Sequence, residues 1–235
     1  MAIQKIFNAK GRPQDNPLIE HISNIDMLNG LVKYVLQNAK KLMDEFWPGP
    51  LTIIMSKGKL VCTETTAGLD SVGIRMPSNE IVREIIEQSG VPFAAHSANI
   101  SRKPSPTNAK DVYNDMNGKI PLVIDGAKSI VGIESTVVSC LNETPIILRP
   151  GVITKEMIEN VLKINVNVAK GITQEINNNE RVLSPGMKYK HYAPNVKGSF
   201  DKFKEFVEKQ QNEGLFALVF NGQVKNSSFM QFLMG

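Results

Sequence analysis

Apolar residues recur with helical spacing in three places along the first part of the chain. The pattern predicts a helix that ends at Lys10-Gly11, a second over 32–46, and a third around 81–86 that ends at Gly90. The second helix must stop at Trp47-Pro48-Gly49-Pro50, because proline supplies no backbone amide donor. These breaks separate the helices from the segments that follow.

Short apolar runs alternate with the helices, and they predict strands. The runs lie at 51–55, 72–75, 92–95, 121–125, 134–139 and 146–149. Two further short helices are expected after Thr107 and Thr154, which are suitable N-cap residues. The alternation predicts an α/β domain that covers residues 1–165.

Beyond this domain the apolar pattern weakens. Residues 166–195 are polar and rich in Asn, which predicts a linker. Residues 196–235 contain one helical pattern and one strand pattern, which begin an α/β unit without completing it. We therefore expect a main domain, a linker and an incomplete C-terminal unit.

Composition narrows the class of protein. The chain has 235 residues, of which 42% are hydrophobic and 21% charged, as in globular domains. Lys and Arg number 27 against 23 Asp and Glu, and the net charge of +4 suits an anionic ligand better than a long nucleic acid. The sequence has no run as long as a membrane span and no signal peptide at its start, so we expect a cytoplasmic protein with no membrane partner.

Metal and thiol chemistry is not favoured by the sequence. The chain has three His and two Cys, and Cys62 and Cys140 lack the paired spacing of a zinc site. We expect two buried, reduced thiols and no metal site. No nucleophile stands beside a general base, and His21 and His96 are each compatible with a hydrogen-bonded structural role. The residues favour positioning and charge neutralisation over covalent catalysis.

Two polar segments offer donors to an anion. Lys10 and Arg12 lie on a turn stiffened by prolines and can hold a polyphosphate, or can complement the dipole at a helix end. Residues 96–107 supply Ser and Asn side chains and a helix start, either for phosphate and ribose or as a capped solvent loop.

Two more candidates lie at strand ends. Residues 132–138 form a hydroxyl-rich turn and then a strand, which is equally compatible with a plain β-branched strand. Arg75 and Arg149 each close an apolar strand, where they can bind a carboxylate or phosphate or simply be solvated.

Taken together, the motifs resemble one family. In chain order they are Lys-Gly-Arg-Pro-x-x-Asn-Pro-Leu from residue 10, Phe-Trp-Pro-Gly-Pro-Leu-Thr from 46, Val-Gly-Ile-Arg-Met-Pro from 72, Ser-Ala-Asn from 97, Glu-Ser-Thr-Val-Val from 134 and Leu-Arg-Pro-Gly from 148. This set resembles the L-threonylcarbamoyladenylate synthase family with its YrdC-like domain, from residue 1 to about 155. Residues 184–194 resemble the linker of the long family members.

The resemblance implies a fold and a reaction. The fold is a twisted mixed sheet with flanking helices around a large cavity, followed by the linker and a partial Rossmann-like unit. The reaction joins L-threonine, bicarbonate and ATP to threonylcarbamoyl-AMP and pyrophosphate, with Mg²⁺ expected alongside ATP. The product serves N6-threonylcarbamoyladenosine formation in tRNA, which implies the downstream threonylcarbamoyl-transfer machinery, and possible RNA, as partners.

The resemblance also implies site residues. The catalytic set at the nucleotide would be Lys10, Arg12, Ser97 and Asn99. ATP contacts would come from Arg12, Asn16, Ser71, Ser97, Ser105, Arg149 and His191. Threonine contacts would come from His21, Arg75, Ser135 and the backbone of Ala95. We further expect residues 184–194 to fold over the nucleotide, with His191 and Tyr192 in contact with it, or alternatively to pack on the C-terminal unit.

Two other functions remain open from the sequence. Family members begin with a strand and a Pro-Thr-Glu-Thr-x-Tyr-Gly-Leu loop, and this chain is expected to start after them, with most of the C-terminal domain also missing. A nucleotide- or RNA-binding module without turnover, or an inactive fragment, is therefore an alternative. The related carbamoyl-transfer domain of hydrogenase maturation proteins fits less well, because their acylphosphatase and zinc-finger segments are not in the sequence.

Overall fold

A seven-stranded mixed sheet organises the part of the chain that the structure describes. The computed structural model describes residues 2–11, 16–101, 103 and 105–169. The strands are β1 (Ile19–His21), β2 (Leu51–Ser56), β3 (Ser71–Arg75), β4 (Phe93–Ala95), β5 (Thr136–Ser139), β6 (Ile146–Arg149) and β7 (Asn167–Val168). Their order across the sheet is β4-β1-β3-β2-β5-β6-β7, with parallel and antiparallel neighbours. The predicted mixed α/β fold with flanking helices is confirmed.

The described part of the chain has five α-helices. The first precedes β1, and the other four lie between strands. The helices are α1 (Ala2–Lys10), α2 (Gln37–Phe46), α3 (Glu80–Ser89), α4 (Ala109–Met116) and α5 (Lys155–Leu162), with a 3₁₀ turn at Ile25–Leu28. Gly90 closes α3 at φ 67°, a left-handed conformation that glycine adopts without a steric penalty. The Thr154 hydroxyl accepts from the amide of Met157 and caps α5 as predicted.

Three expectations about the elements were wrong, and two short strands were not predicted. The apolar run at 121–125 forms no strand, and Leu122 and Ile124 are exposed, because the run finds no pairing partner in the described structure. The second helix starts at Gln37 because Val32 forms isolated bridges with Asn29 and Lys57 instead.

Asn108, not Thr107, is the N-cap of α4. The strands β1 and β7 were not predicted. β7 lies at the start of the range assigned to the linker, 166–195. The rest of that range and residues 196–235 lie outside the described residues, so the domain boundaries stay a prediction.

The two faces of the sheet differ in chemistry. Alternate residues of the central strands face opposite sides, and one face supplies the main core. This core face carries Leu51, Ile53, Met55, Val72, Ile74, Val138 and Ile147, which pack with buried residues of α2 and α5. No helix of the described residues is both long and apolar enough to cross a membrane.

The opposite face carries polar residues and little apolar packing. Register places His21 beside Arg75 and Thr52 across from it, so these side chains share this face. Gly73 lies between Ile19, Thr52 and Ile54, and an added Cβ would meet their side chains at 3.1–3.6 Å. The only apolar cluster on this side within the described structure is small, with Ile54, Val137 and Leu148 at its centre. We call this side of the sheet the polar face.

Candidate functional site

Two arginines from separate strands converge on the polar face. Arg75 ends β3 and Arg149 ends β6. Burial lowers the pKa of Arg75, and the positive charge of Arg149 lowers it further. Two guanidinium groups held close enough to repel each other form a local surplus of positive charge that an anion would relieve.

Arg149 is held in place by the two residues that directly precede β5. Its Nε and Nη2 donate to the Ser135 carbonyl oxygen at 3.0 and 2.9 Å, and Nη2 also donates to Ser135 Oγ at 3.0 Å. Its Nη1 forms a salt bridge to Glu134 Oε2 at 2.9 Å. Both charged side chains are more than four-fifths buried, so the guanidinium has a defined orientation before any ligand arrives.

The turn after α2 positions Arg75 and the start of β5. Arg75 Nε donates to the Gly49 carbonyl at 3.0 Å, and the Gly49 amide donates to the Met76 carbonyl at 2.8 Å. The Thr136 amide donates to the Pro50 carbonyl at 3.0 Å. The Trp-Pro-Gly-Pro turn, whose Trp47-Pro48 peptide is cis, therefore joins Arg75 at the end of β3 to the start of β5, next to the residues that hold Arg149.

His21 lies beside Arg75 and is neutral near pH 7. Burial lowers the pKa of His21 to about 4, and the charge of Arg75 acts in the same direction. Hydrogen bonds to the backbone of Ile19 and Phe93 oppose this shift only in part. His21 Nδ1 lies 3.0 Å from the Ile19 carbonyl oxygen. The ring therefore adds hydrogen-bonding capacity to the arginine pair without adding charge.

A second polar group surrounds Lys10 at the other end of β1. Lys10 Nζ donates to the carbonyl oxygens of Ser97 and, at 2.7 Å, Asn99, and to Asn99 Oδ1 at 3.1 Å. Ser97 Oγ donates to Asn99 Oδ1 at 2.7 Å. Only 5% of Lys10 is exposed. Lys10 is the last residue of α1, at the helix end predicted from the sequence, and its ammonium group is enclosed by the loop after β4.

That loop is anchored from α4. Asn99 Nδ2 donates to the Lys103 carbonyl at 2.6 Å, and Lys103 Nζ forms a salt bridge with Asp115 Oδ1 at 2.7 Å. The hydrogen bond from Lys103 lowers the pKa of Asp115. The Ser-Ala-Asn segment is thus braced by α1 on one side and by α4 on the other.

The remaining predicted residues do not form a single group in the structure. Ala95 pairs with Ile19, between the two polar groups. Ser71 begins β3 and lies about 13 Å from Arg75 along the strand, so the structure does not bring Ser71 to the arginine pair. Ser105 is partly exposed in the loop before α4. Arg12 and His191 lie outside the described residues, as does the predicted lid, 184–194.

Asn16 has a buried side-chain amide without a hydrogen-bond partner among the described residues. Its side chain is fully buried, yet neither Oδ1 nor Nδ2 has a hydrogen-bond partner within the described part of the chain. A buried amide without partners costs about 1–3 kcal/mol. A ligand that hydrogen-bonds to Asn16 would remove that cost.

The sequence analysis did not assign Thr52, Glu134 or Gly151 to the site. Thr52 Oγ1 lies 2.9 Å from Ser135 Oγ, and Glu134 holds Arg149. An added Cβ on Gly151 would lie 2.5 Å from the Thr136 amide nitrogen and 2.7 Å from the Glu134 carbonyl oxygen. These three residues stand inside motifs, but only their tertiary contacts show what they support.

The geometry defines a class of protein. A mixed α/β sheet with its core on one face, and with strand-end arginines, a neutral histidine and hydroxyl groups on the other, is an α/β domain suited to anionic small ligands. The described residues hold no cluster of three His, Cys, Asp or Glu side chains that could bind a metal ion. Both cysteines are free thiols; Cys140 is buried as expected, whereas Cys62 is exposed, contrary to expectation.

The chain belongs to the Sua5/YciO/YrdC family. The family model described as "Telomere recombination" matches residues 1–151, and the model described as "Threonylcarbamoyl-AMP synthase, C-terminal domain" matches residues 153–230. Membership of this family, in its long form, was predicted from the motifs and is confirmed.

Relatives and solved structures agree with this assignment. The chain is 45% identical to the threonylcarbamoyl-AMP synthase of Bacillus subtilis over 219 residues, which cover 91% of this chain and 62% of the relative. It is 44% identical to the Pyrococcus abyssi synthase over 217 residues, covering 88% and 62%. The crystal structure of P. abyssi Sua5 complexed with L-threonine superposes with a TM-score of 0.80 at 43% identity, covering 88% and 62%. The chain thus spans about three-fifths of the length of these relatives.

Proposed function

We propose that the chain forms L-threonylcarbamoyladenylate and pyrophosphate from L-threonine, bicarbonate and ATP. The observation that carries this proposal is the pair of buried guanidinium groups, Arg75 and Arg149, held beside the Ser135 hydroxyl on the polar face. Such a pair suits two anionic ligands held side by side, namely an amino acid bound through its carboxylate and a nucleotide bound through a phosphate. Relatives named threonylcarbamoyl-AMP synthase support the choice of reactants.

Threonine would bind at the carboxyl ends of β1 and β3. Arg75 would hold its carboxylate with two parallel hydrogen bonds. His21 and Ser135 would bind other polar groups of the amino acid, and the backbone of Ala95 would close the site from β4. Because His21 is neutral, it would not compete with Arg75 for the carboxylate.

ATP would lie across the other end of the sheet and reach Arg149. Lys10, Ser97 and Asn99, with Arg12, would form the catalytic set at its phosphates. Asn16 would pair its buried amide with the nucleotide. Ser71, Ser105 and His191 complete the proposed contacts, and Arg149 would mark the point where ATP and threonine meet. Residues 184–194 would cover the nucleotide, with Tyr192 also in contact.

The reaction needs positioning and charge neutralisation. The neutral amine of threonine attacks the carbon of bicarbonate, and a carbamate forms as water leaves. A carbamate oxygen then attacks the α-phosphorus of ATP, and the bond to pyrophosphate breaks. The cationic side chains of the site neutralise charge that develops on the pyrophosphate, and the strands hold the reactants in line.

The proposal includes the setting of the reaction. The product would pass to the machinery that transfers threonylcarbamoyl groups to tRNA, in the cytoplasm, and RNA is a possible direct partner. Mg²⁺ would enter with ATP and be held by its phosphates, since the described residues offer no carboxylate cage. No step above depends on a protein-bound metal ion.

The experiment is a pyrophosphate-release assay on the 235-residue chain. We expect release only when ATP, L-threonine and bicarbonate are all present, and we expect calorimetry to detect binding of both ATP and L-threonine. Arg149→Gln should abolish release, whereas Lys59→Gln, at an exposed position away from the site, should not. ATP binding without threonine-dependent release would favour a nucleotide-binding module. Absence of both binding and release would overturn the proposal.

A further inference from the structure

Three side chains form a continuous hydrogen-bonded chain under the proposed threonine site. Thr52 Oγ1 lies 2.9 Å from Ser135 Oγ, and Arg149 Nη2 donates to the same Ser135 Oγ at 3.0 Å. Thr52 is fully buried, and Ser135 is 5% exposed. A serine hydroxyl has one proton and two lone pairs, so the two contacts together restrict where the Ser135 proton can point.

Arg149 always donates to Ser135 Oγ and so uses one of its two lone pairs. A guanidinium group has only donors, so Ser135 Oγ must accept from it. Glu134 Oε2 binds Nη1, and the Ser135 carbonyl accepts from both Nε and Nη2. These contacts fix the orientation of the guanidinium and keep the Nη2 donor beside Ser135 Oγ. The remaining question is which of Thr52 and Ser135 donates to the other.

Burial of Thr52 answers this question. Among the described residues, Ser135 is the one hydrogen-bond partner of the Thr52 hydroxyl. Either direction leaves one hydroxyl proton without a protein acceptor in the described structure. On Thr52, which is 0% exposed, that proton would be sealed from any acceptor, whereas Ser135 keeps 5% exposure through which a ligand or water can accept it. Thr52 therefore donates to Ser135, both lone pairs of Ser135 are occupied, and the Ser135 proton has no acceptor in the described structure.

We propose that Thr52 is a positioning residue that commits the Ser135 hydroxyl to donate its proton to an oxygen of the bound amino acid. This inference rests on the proposed function and extends it. Ser135 cannot accept from a donor group such as the amine, so the site selects for an acceptor, either the carboxylate or the side-chain hydroxyl oxygen. Thr52 itself does not touch the ligand.

The test compares Thr52→Val with Thr52→Ser in the full chain. Valine keeps the shape and the methyl group that packs near Gly73 but cannot donate, whereas serine keeps the hydroxyl. We expect Thr52→Val to raise the KM for L-threonine about fivefold to twentyfold, the loss of roughly one oriented hydrogen bond, while the KM for ATP changes less than twofold. Thr52→Ser should restore the KM to within about twofold to threefold. Thr66→Val is the matched control, since it removes another buried hydroxyl, which bonds to the Thr63 carbonyl, and should leave the KM for threonine unchanged.

A double-mutant cycle separates positioning from general damage. Once Ser135→Ala has removed the hydroxyl, Thr52→Val should raise the KM for threonine no further. Additive effects of the two substitutions, or equal increases in the KM for ATP and threonine, would overturn the inference. An unchanged KM in Thr52→Val would overturn it as well.

A ligand-free measurement distinguishes this failure from failure of the proposed function. The Tm losses of Thr52→Val and Ser135→Ala should combine to less than their sum, because both remove the same hydrogen bond. Additive Tm losses would overturn the inference whatever the chain binds. Coupled Tm losses in a chain that neither binds nor uses threonine would show that the hydrogen bond exists and that the proposed function, and with it the threonine assignment, is wrong.

Discussion

A lysine ammonium withdrawn from water needs hydrogen-bond acceptors, and Lys10 finds them in the loop after β4. Three oxygen atoms of Ser97 and Asn99 surround Nζ, two of them backbone carbonyls. Removal of the ammonium would take this donor away from the two backbone carbonyls, while Asn99 Oδ1 would keep its hydrogen bond from Ser97 Oγ. Lys10 thus joins α1 to the Ser-Ala-Asn loop, and in the proposed function it would also provide charge for the phosphates.

Replacement of Lys10 should therefore affect stability and binding together. Lys10→Met keeps most of the side-chain volume, and we expect it to lower the free energy of unfolding by about 1–3 kcal/mol. ATP affinity should fall about tenfold or more. Urea unfolding and calorimetry measure the two effects. Lys5→Met, on the exposed side of α1, is the control and should change neither.

His21 makes stability depend on pH. In the unfolded chain a histidine takes up a proton below about pH 6.5, whereas the folded His21 does so only near its pKa of about 4. The unfolded state therefore binds more protons between these values, and stability falls as the pH is lowered through that window. The total loss is about 3 kcal/mol on the linkage relation.

His21→Gln should remove this dependence. Urea unfolding at pH 7.5 and pH 5 should show a larger loss of stability for the wild-type chain than for the variant. Arg75 stays charged over this range. Burial raises the pKa of Glu20, which acts in the opposite direction, but Glu20 is present in both proteins and cancels in the comparison. Equal losses in the two proteins would show that His21 titrates normally.

At the scale of elements, loops at the strand ends place the site. The Trp-Pro-Gly-Pro turn contacts Arg75 and Thr136, and the turn after β6 passes directly over 134–136. Gly151 permits this close approach, because an added Cβ would meet backbone atoms that cannot move independently.

Gly151→Ala should disturb the site through the backbone. The new methyl group would lie 2.5 Å from the Thr136 amide nitrogen, so one of the two segments must shift. We expect a loss of about 1–3 kcal/mol in the free energy of unfolding and a reduced affinity for threonine. Gly132→Ala is the control, since its Cβ would meet nothing within 4 Å. Similar effects of both substitutions would argue against this role of Gly151.

Within the described residues, the sheet carries its main apolar core on one face and the side chains of the proposed site on the other. Ile74 and Arg75 are consecutive on β3, yet Ile74 is buried in the main core and Arg75 lies on the polar face. Alternation along a strand produces this separation, since successive side chains point to opposite faces.

Substitution of Ile74 should mainly affect stability, whereas substitution of Arg75 should mainly affect the KM for threonine. Ile74→Val should lower the free energy of unfolding by about 0.5–1.5 kcal/mol and leave the KM for threonine within about twofold. Arg75→Lys should raise the KM for threonine about tenfold, because an ammonium cannot make two parallel bonds to a carboxylate, with little effect on the KM for ATP. Unfolding curves and steady-state kinetics on both variants provide the check. A matched rise in the two KM values for Arg75→Lys would contradict the assignment.

The elements that local signals determine were predicted well. The ends of α1 and α3 at glycine and the cap of α5 at Thr154 depend on contacts within one turn. β1 was not predicted because three residues are too short for a recognisable pattern. The run at 121–125 has the composition of a strand, but a strand also requires a hydrogen-bonding neighbour, and composition does not reveal one.

The sequence by itself determined most of the helices and strands, the family and the residue types of the proposed site, because periodicity, caps and motifs are properties of neighbours along the chain. The tertiary structure alone decided that Lys10 is buried, that Arg75 and Arg149 share one surplus of charge, and that Ser71 lies at the far end of its strand. It also decided that Thr52 and Glu134 support Ser135 and Arg149. These facts depend on strand register and on which segments far apart in sequence come into contact. Burial in those contacts then sets the protonation state and the hydrogen bonds of each group.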